Sequence, residues 1–151
     1  MEGRTMSGVV VERVVDWQDT DAAGHYHHST VIRWVEAAEA ALLDGLGLRG
    51  LFGSIPRVRF EVDYLDRLWF GDTVAIALSV GRLGRSSVRY DFLVTRIPPD
   101  AQPPSPAARG ALTAVHAPDP AARSRPWPTA VAAALRGTRP PTPEPNSPRH
   151  Q

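Results

Sequence analysis

The hydrophobic period of this chain changes along its length, and each change predicts an element. Val9 to Trp17 is rich in β-branched residues and reads as a strand. Asp19 to His28 is polar, contains Gly24 and reads as a loop. From Thr30 to Leu46, Val31, Trp34, Val35, Ala38, Leu42 and Leu46 recur at three- and four-residue spacing, the signature of an amphipathic helix. Ser29 or Thr30 is placed to cap its start, and Gly45 or Gly47 to end it. The period then falls to two. Val58, Phe60, Val62 and Tyr64 alternate with charged residues in Arg57 to Leu65. Val74, Ile76, Leu78 and Val80 alternate in Asp72 to Gly81, and Val88, Tyr90, Phe92 and Val94 in Ser86 to Arg96. Such alternation predicts strands with one buried face and one wetter face.

Short turns at Trp69 to Asp72 and at Arg82 to Arg85 join these strands. Pro98 to Pro106 is incompatible with a central strand and reads as a long hairpin loop, with the last strand at Arg109 to Ala117. Thr129 to Arg136 reads as a short terminal helix. Of 15 prolines, 14 lie after residue 97, so long elements belong to the first two-thirds of the chain. The order is strand, long helix, then four antiparallel strands. The helix needs a partner for its apolar stripe, and the alternating sheet face is the one surface large enough. The expected class is α+β: an antiparallel sheet of about five strands wrapped around one long central helix. Residues 1–136 are expected to form a single domain with a Pro-rich hairpin insertion at 98–107, and 137–151 a Pro-rich disordered tail. A sheet of this size leaves edges and a second face open, which favours a homodimer or homotetramer.

Composition narrows the chemistry. Hydrophobic content is 42% and charged content 22%, ordinary for a globular domain. No apolar run reaches the ~20 residues of a membrane helix. Met1 to Gly8 lacks the apolar segment of a signal peptide, so a cytoplasmic protein is expected. Cysteine is absent, which removes disulfides, thiolate zinc sites and cysteine nucleophiles. All 17 basic residues are arginine, so lysine chemistry is excluded as well. A net charge of +1 provides no global field for nucleic acid, and neither nucleic acid nor membrane is an expected partner. A local arginine cluster remains able to hold a phosphate-bearing ligand.

The informative stretch is Asp16-Trp17-Gln18-Asp19-Thr20-Asp21-Ala22-Ala23-Gly24-His25-Tyr26-His27-His28. It carries three carboxylates just before a helix start. Helix N-termini present unpaired N–H groups and a partial positive charge, suited to polarising a carbonyl. A carboxylate opposite them can attack that carbonyl or activate water. A thiolate leaves readily, so one acid and one N–H dipole suffice for a thioester.

Asp19-Thr20-Asp21-Ala22-Ala23-Gly24, followed by Arg33-Trp34-Val35-Glu36-Ala37-Ala38, resembles the 4-hydroxybenzoyl-CoA thioesterase family of hotdog proteins. Asp63-Tyr64, Phe70-Gly71-Asp72, Arg109-Gly110 and Arg125-Pro126-Trp127-Pro128 extend the similarity over roughly Val9 to Arg136. The resemblance implies hydrolysis of an acyl-CoA or acyl-carrier-protein thioester, with Asp21 as the catalytic aspartate and Gly24 as the glycine of the tight turn. His28 matches the residue whose backbone N–H points at the thioester carbonyl. Glu36 matches the helix carboxylate and is the reserve catalytic acid. No metal or redox cofactor is implied; CoA or phosphopantetheine arrives with the substrate. Two departures concern the substrate. His25, Tyr26, His27 and His28 replace a usually more apolar segment that lines the acyl pocket, and Pro98 to Pro106 lengthens a normally short hairpin. The loop's tyrosine and histidines fit an aromatic or polar acyl group. Arg82 and Arg85, with Ser86 as a minor contributor, are placed to grip CoA phosphates or an acidic carrier protein.

Each residue also has a plainer reading. Asp21 can be a turn residue or cap. His25, His27 and His28 can be a solvated loop, or a metal site completed by Asp19 or Asp21. Glu36 can pair with Arg33, the arginines can form a solvated surface, and Trp17, Trp34 and Trp69 can be core or interface residues. Two other functions stay open: a hotdog hydratase or dehydratase built on an Asp–His pair, and a non-catalytic acyl-thioester-binding protein.

Overall fold

In the computed structural model, which describes residues 6–137, the alternating segments form one five-stranded antiparallel sheet. Its strands are β1 (Gly8–Val14), β2 (Arg57–Tyr64), β3 (Thr73–Leu83), β4 (Ser87–Ile97) and β5 (Ser105–Val115), in the order β1-β3-β4-β5-β2. Two α-helices accompany it, α1 (Thr30–Gly45) and α2 (Thr129–Leu135). The register places Ile76 opposite Val94, Leu78 opposite Phe92 and Val80 opposite Tyr90, and all six are buried. Ser79 and Asp91, one position along, pair on the opposite face and are exposed. In β3 and β4 the period of two thus becomes one dry face and one wet face, whereas β2 does not alternate and leaves Val58 and Tyr64 exposed.

The 16-residue α1 lies against β1 and β3. It buries Val31, Trp34, Val35, Ala38 and Leu42 of the expected stripe, with Leu43 in addition, while Leu46 is half-buried. Its end is a left-handed cap. Gly47 has φ +73, its N–H donates to the Asp44 carbonyl, and the Leu48 N–H reaches back to Leu43 at 2.8 Å. Among the described residues no helix is long and apolar enough to cross a membrane. The expected disordered tail lies outside them from residue 138 on.

Several local expectations are corrected. The first strand ends at Val14, and Trp17–Asp19 forms a 3-10 turn capped by Asp16. Neither Ser29 nor Thr30 caps α1: Ser29 makes no side-chain cap bond, and the Thr30 hydroxyl donates to the Asp19 carbonyl at 2.9 Å. The last strand opens at Ser105 rather than Arg109, so the β4–β5 connection is residues 98–104. Pro106 enters β5 beside a register shift between Val94 and Thr95, where an irregular ladder tolerates a missing N–H. Trp34 is buried, but Trp17 and Trp69 are exposed.

Candidate active site

The segment before α1 is folded back on itself and clamped on two sides. The Asp21 N–H donates to the His25 carbonyl at 2.9 Å and the Gly24 N–H to the Asp21 carbonyl at 3.0 Å, closing a tight turn. Asp21 Oδ1 also accepts from the Ala23 N–H at 2.8 Å. The turn needs a left-handed residue, and Gly24 has φ +86. Space is not the constraint there, since a Cβ on Gly24 would meet only the Trp69 ring, at 3.7 Å. On one side the loop bonds to the β2–β3 connection, where Tyr26 N–H donates to the Leu68 carbonyl at 2.7 Å and His25 bridges to Trp69. On the other side Asp19 ties it to α1, through Arg33 Nη2 at 2.7 Å and the Thr30 hydroxyl.

The clamped loop forms one wall of a cleft of about 550 Å³, lined by Asp21, His25, Tyr26, His28, Tyr64, Leu65, Asp66 and Arg67. Asp21 and His25 are each about a third exposed at the side chain, with Asp21 Oδ2 and His25 Nδ1 3.7 Å apart. That is too far for a hydrogen bond. His28 is the exposed residue two positions before α1. Its carbonyl accepts from the Tyr64 hydroxyl at 2.5 Å, while its N–H meets no acceptor among the described residues. Activation of a carbonyl requires an unpaired N–H near a carboxylate, and His28, whose N–H is unpaired, lines the same cleft as Asp21.

Tyr26 is more structural than its place in the loop implied. Its ring stacks on Trp34 at 6.2 Å, and its hydroxyl donates to the Asp66 carbonyl at 3.2 Å. Burial, reinforced by Tyr64 and Asp66, raises its pKa to about 12. It therefore stays neutral and acts as a donor, not a base.

The remaining expected residues fall elsewhere. His27 turns away from the cleft, bonding Ser29 Oγ at 2.7 Å and lying against the His28 ring. The three loop histidines do not converge on a metal-ligand group with Asp19 or Asp21; no group of three such ligands occurs among the described residues. Glu36 is exposed on α1, about 9 Å along the axis from Thr30. Arg33 does not pair with it, because Asp19 holds that guanidinium. Arg82, Arg85 and Ser86 sit at the β3–β4 turn, at the far end of β3 and roughly 30 Å from the Asp21 loop by strand rise. There the Arg85 carbonyl accepts from the Trp127 N–H and the Ser86 carbonyl from the His116 N–H. Within one chain these residues do not meet Asp21.

Sequence reasoning did not single out Tyr64, Leu65, Asp66 and Arg67 as walls of this cleft. Tyr64 continues an alternating strand and carries no mark of being 36 residues from its partner His28. The Asp19–Arg33 pair, 14 residues apart, likewise follows no helical spacing.

A second buried polar feature lies away from this cleft. Glu39 of α1, fully buried, pairs with Arg57 of β2 and interacts with the buried Tyr90 hydroxyl. Burial raises its pKa, and Arg57 opposes the shift without cancelling it.

The sequence profile of the thioesterase-like superfamily matches residues 15–135. A 1,4-dihydroxy-2-naphthoyl-CoA hydrolase of Synechococcus elongatus is 36% identical over 96 residues, 58% of this chain and 69% of that protein. A thioesterase of Thermus thermophilus, solved with coenzyme A and Zn, is 29% identical, superimposes with a TM-score of 0.73, and covers 93% of this chain and 100% of its own. The 4-hydroxybenzoyl CoA thioesterase of Pseudomonas sp. strain CBS-3 shares the fold with a TM-score of 0.74 at 19% identity, covering 85% of this chain and 99% of its own. With the profile spanning most of the described chain and solved hotdog folds superimposing on most of its length, the chain belongs to the thioesterase-like superfamily of hotdog-fold thioester hydrolases.

Proposed function

We propose that the chain hydrolyses an acyl-CoA thioester in the Asp21 cleft, the sheet curling around α1 so that the helix start faces the substrate. The reading rests on one observation above all: Asp21 and His28 line a single cleft, and the His28 N–H has no acceptor among the described residues. The thioester carbonyl oxygen sits on the His28 N–H, which stabilises the negative charge that develops there. Asp21 supplies the attack on the carbonyl carbon. Either it takes a proton from water as the water oxygen adds, or its own oxygen adds and water then cleaves the resulting anhydride. In both routes the tetrahedral intermediate collapses by breaking the C–S bond, and the thiolate leaves and picks up a proton from solvent. Gly24 sets the turn that aims Asp21. Glu36, exposed and outside the cleft, is the reserve acid only.

The acyl group lies along His25, Tyr26 and Tyr64, walls that suit an aromatic or polar acyl chain. The aryl-CoA names of the similar hydrolases point the same way. No resident cofactor is needed, because CoA or phosphopantetheine enters as part of the substrate. We assign Arg82, Arg85 and Ser86 to phosphate contacts at the cleft of a neighbouring copy in a homodimer or homotetramer, since their own cleft is out of reach. His27 supports the loop without touching substrate.

Thiol release from aryl-, short-chain and long-chain acyl-CoAs, with an acyl-carrier-protein arm, tests the reading on wild type and Asp21→Asn. Turnover of aryl-CoA with a loss of ~100-fold or more in Asp21→Asn is expected. Wild-type rates in Asp21→Asn would move the chemistry to Glu36 or to the N–H dipole alone.

A further inference from the structure

We propose that Asp19, a residue that touches no substrate, is the positioning residue that sets Asp21 against the His28 N–H. This inference rests on the assignment of those two groups to catalysis, and it concerns how they are held in register.

Asp19 is buried, at 6% exposure, and every polar atom it has is engaged. Oδ1 accepts from Arg33 Nη2 at 2.7 Å and Oδ2 from the Asp16 N–H at 2.9 Å. Its carbonyl accepts from the His27 N–H at 2.6 Å and from the Thr30 hydroxyl at 2.9 Å, and its N–H donates to the Asp16 carbonyl at 2.9 Å. These bonds divide into two sets. Those to Asp16 fix the chain entering the loop, and Asp19 itself stands two residues before Asp21. Those to His27, Thr30 and Arg33 fix the residue before His28 and the first turn of α1. The carboxylate therefore joins the chain entering the loop to Arg33 of α1, and the carbonyl of the same residue joins it to His27 and Thr30 at the helix start. A catalytic pair must be held within roughly 0.5 Å of its productive geometry, and a misplacement of ~1 Å costs on the order of 100-fold in rate.

Both carboxylate oxygens accept, so the isosteric amide cannot replace them. In Asp19→Asn, one of the two donors, Arg33 or the Asp16 N–H, faces an NH₂ group instead of an oxygen. The backbone bonds of residue 19 remain, so the loop stays folded while one of its two side-chain ties, to Arg33 or to the Asp16 N–H, is lost.

The test is steady-state and single-turnover kinetics with benzoyl-CoA, or the panel acyl-CoA turned over fastest, on Asp19→Asn, Asp21→Asn and the double variant. Asp19→Asn should lose roughly 10- to 100-fold in kcat with KM held within about threefold. The same substitution should cost nothing further in the Asp21→Asn background, because a residue that acts through Asp21 has nothing left to position. Arg33→Gln should behave like Asp19→Asn, and Arg33→Lys should recover part of the loss. The Arg33 side chain is half exposed, so these variants keep the test open even where Asp19→Asn folds poorly. Wild-type kcat in Asp19→Asn and Arg33→Gln beside an inactive Asp21→Asn would overturn the inference. So would a loss that persists undiminished in the double variant, which would mean a general structural role. Wild-type turnover by Asp21→Asn is a separate outcome: it defeats the active-site assignment itself.

Discussion

The Tyr64 hydroxyl donates to the His28 carbonyl at 2.5 Å, joining the end of β2 to the residue whose N–H is free at the start of α1. The bond fixes the orientation of His28 from the far wall of the cleft. Tyr64→Phe removes the hydroxyl and keeps the ring. The side chain is well exposed, at 45%, so water can satisfy the abandoned carbonyl and the net cost to stability is under about 1.5 kcal/mol. The effect on chemistry is larger in proportion: kcat should fall by about 3- to 10-fold with the melting temperature nearly unchanged. A kcat equal to wild type would show that β2 does not hold the helix start.

The two glycines with the sharpest demands should fail in different ways. Gly24 needs its positive φ, and an alanine there costs roughly 1–2 kcal/mol of backbone strain without a clash. Gly24→Ala should therefore fold, melt a few degrees lower, and lose activity as the turn re-aims Asp21. At Gly110 a Cβ would lie 1.9 Å from the Glu61 carbonyl and 2.9 Å from the Phe92 ring, which crosses this position to stack on Phe60. Gly110→Ala should open the β2–β5 ladder and cost ~3 kcal/mol or more. Circular dichroism melts separate the two; equal melting temperatures would contradict both arguments.

Much of this architecture was legible in the chain because it rests on local periodicity. Val31, Trp34, Val35, Ala38 and Leu42 are buried as their spacing requires, and Val88, Tyr90, Phe92 and Val94 face inward as their alternation requires. What was not legible depends on distant partners. Pro106 argues against a strand from sequence, yet the register shift beside it lets β5 begin at Ser105. Arg33 and Glu36 have helical spacing, yet the buried Asp19 takes the guanidinium because it offers a desolvated carboxylate with both oxygens fixed. Asp21 and His28 are candidates from a motif, whereas Tyr64 to Arg67, which line the same cleft, come together with them only in three dimensions.

Glu39 predicts a pH dependence with a definite sign. Burial raises its pKa above the ordinary 4.5, and Arg57 opposes the shift only in part. The folded state thus holds this proton more tightly than the unfolded chain. Its stabilising contribution is complete below about pH 4.5 and is lost as pH rises through the raised folded value. Glu39→Gln keeps an oxygen for Arg57 and removes the titration. The stability of the variant relative to wild type should therefore improve as pH rises from about 4 to 7. Thermal melts across that range decide it, and parallel curves for the two proteins would mean that Arg57 cancels the burial cost in full.

His25 separates thioester hydrolysis from hydration chemistry on the same fold. A hydratase built on an Asp–His pair needs the imidazole as a proton-transfer partner, so replacing either residue abolishes turnover. Here His25 Nδ1 stands 3.7 Å from Asp21 Oδ2 and 3.2 Å from the Tyr26 carbonyl, and its ring lies edge-on to Trp69 at 5.8 Å. These contacts seat the imidazole in the wall of the cleft. In thioester cleavage the leaving thiolate needs no general acid, so the imidazole has no obligatory proton to move. His25→Asn should therefore raise KM for aryl-CoA and lower kcat by less than about 10-fold, against ~100-fold or more for Asp21→Asn. Equal losses at the two positions, together with hydration of an enoyl-CoA by wild type, would reassign the cleft to an Asp–His mechanism. A KM effect confined to aryl substrates would make His25 a specificity residue.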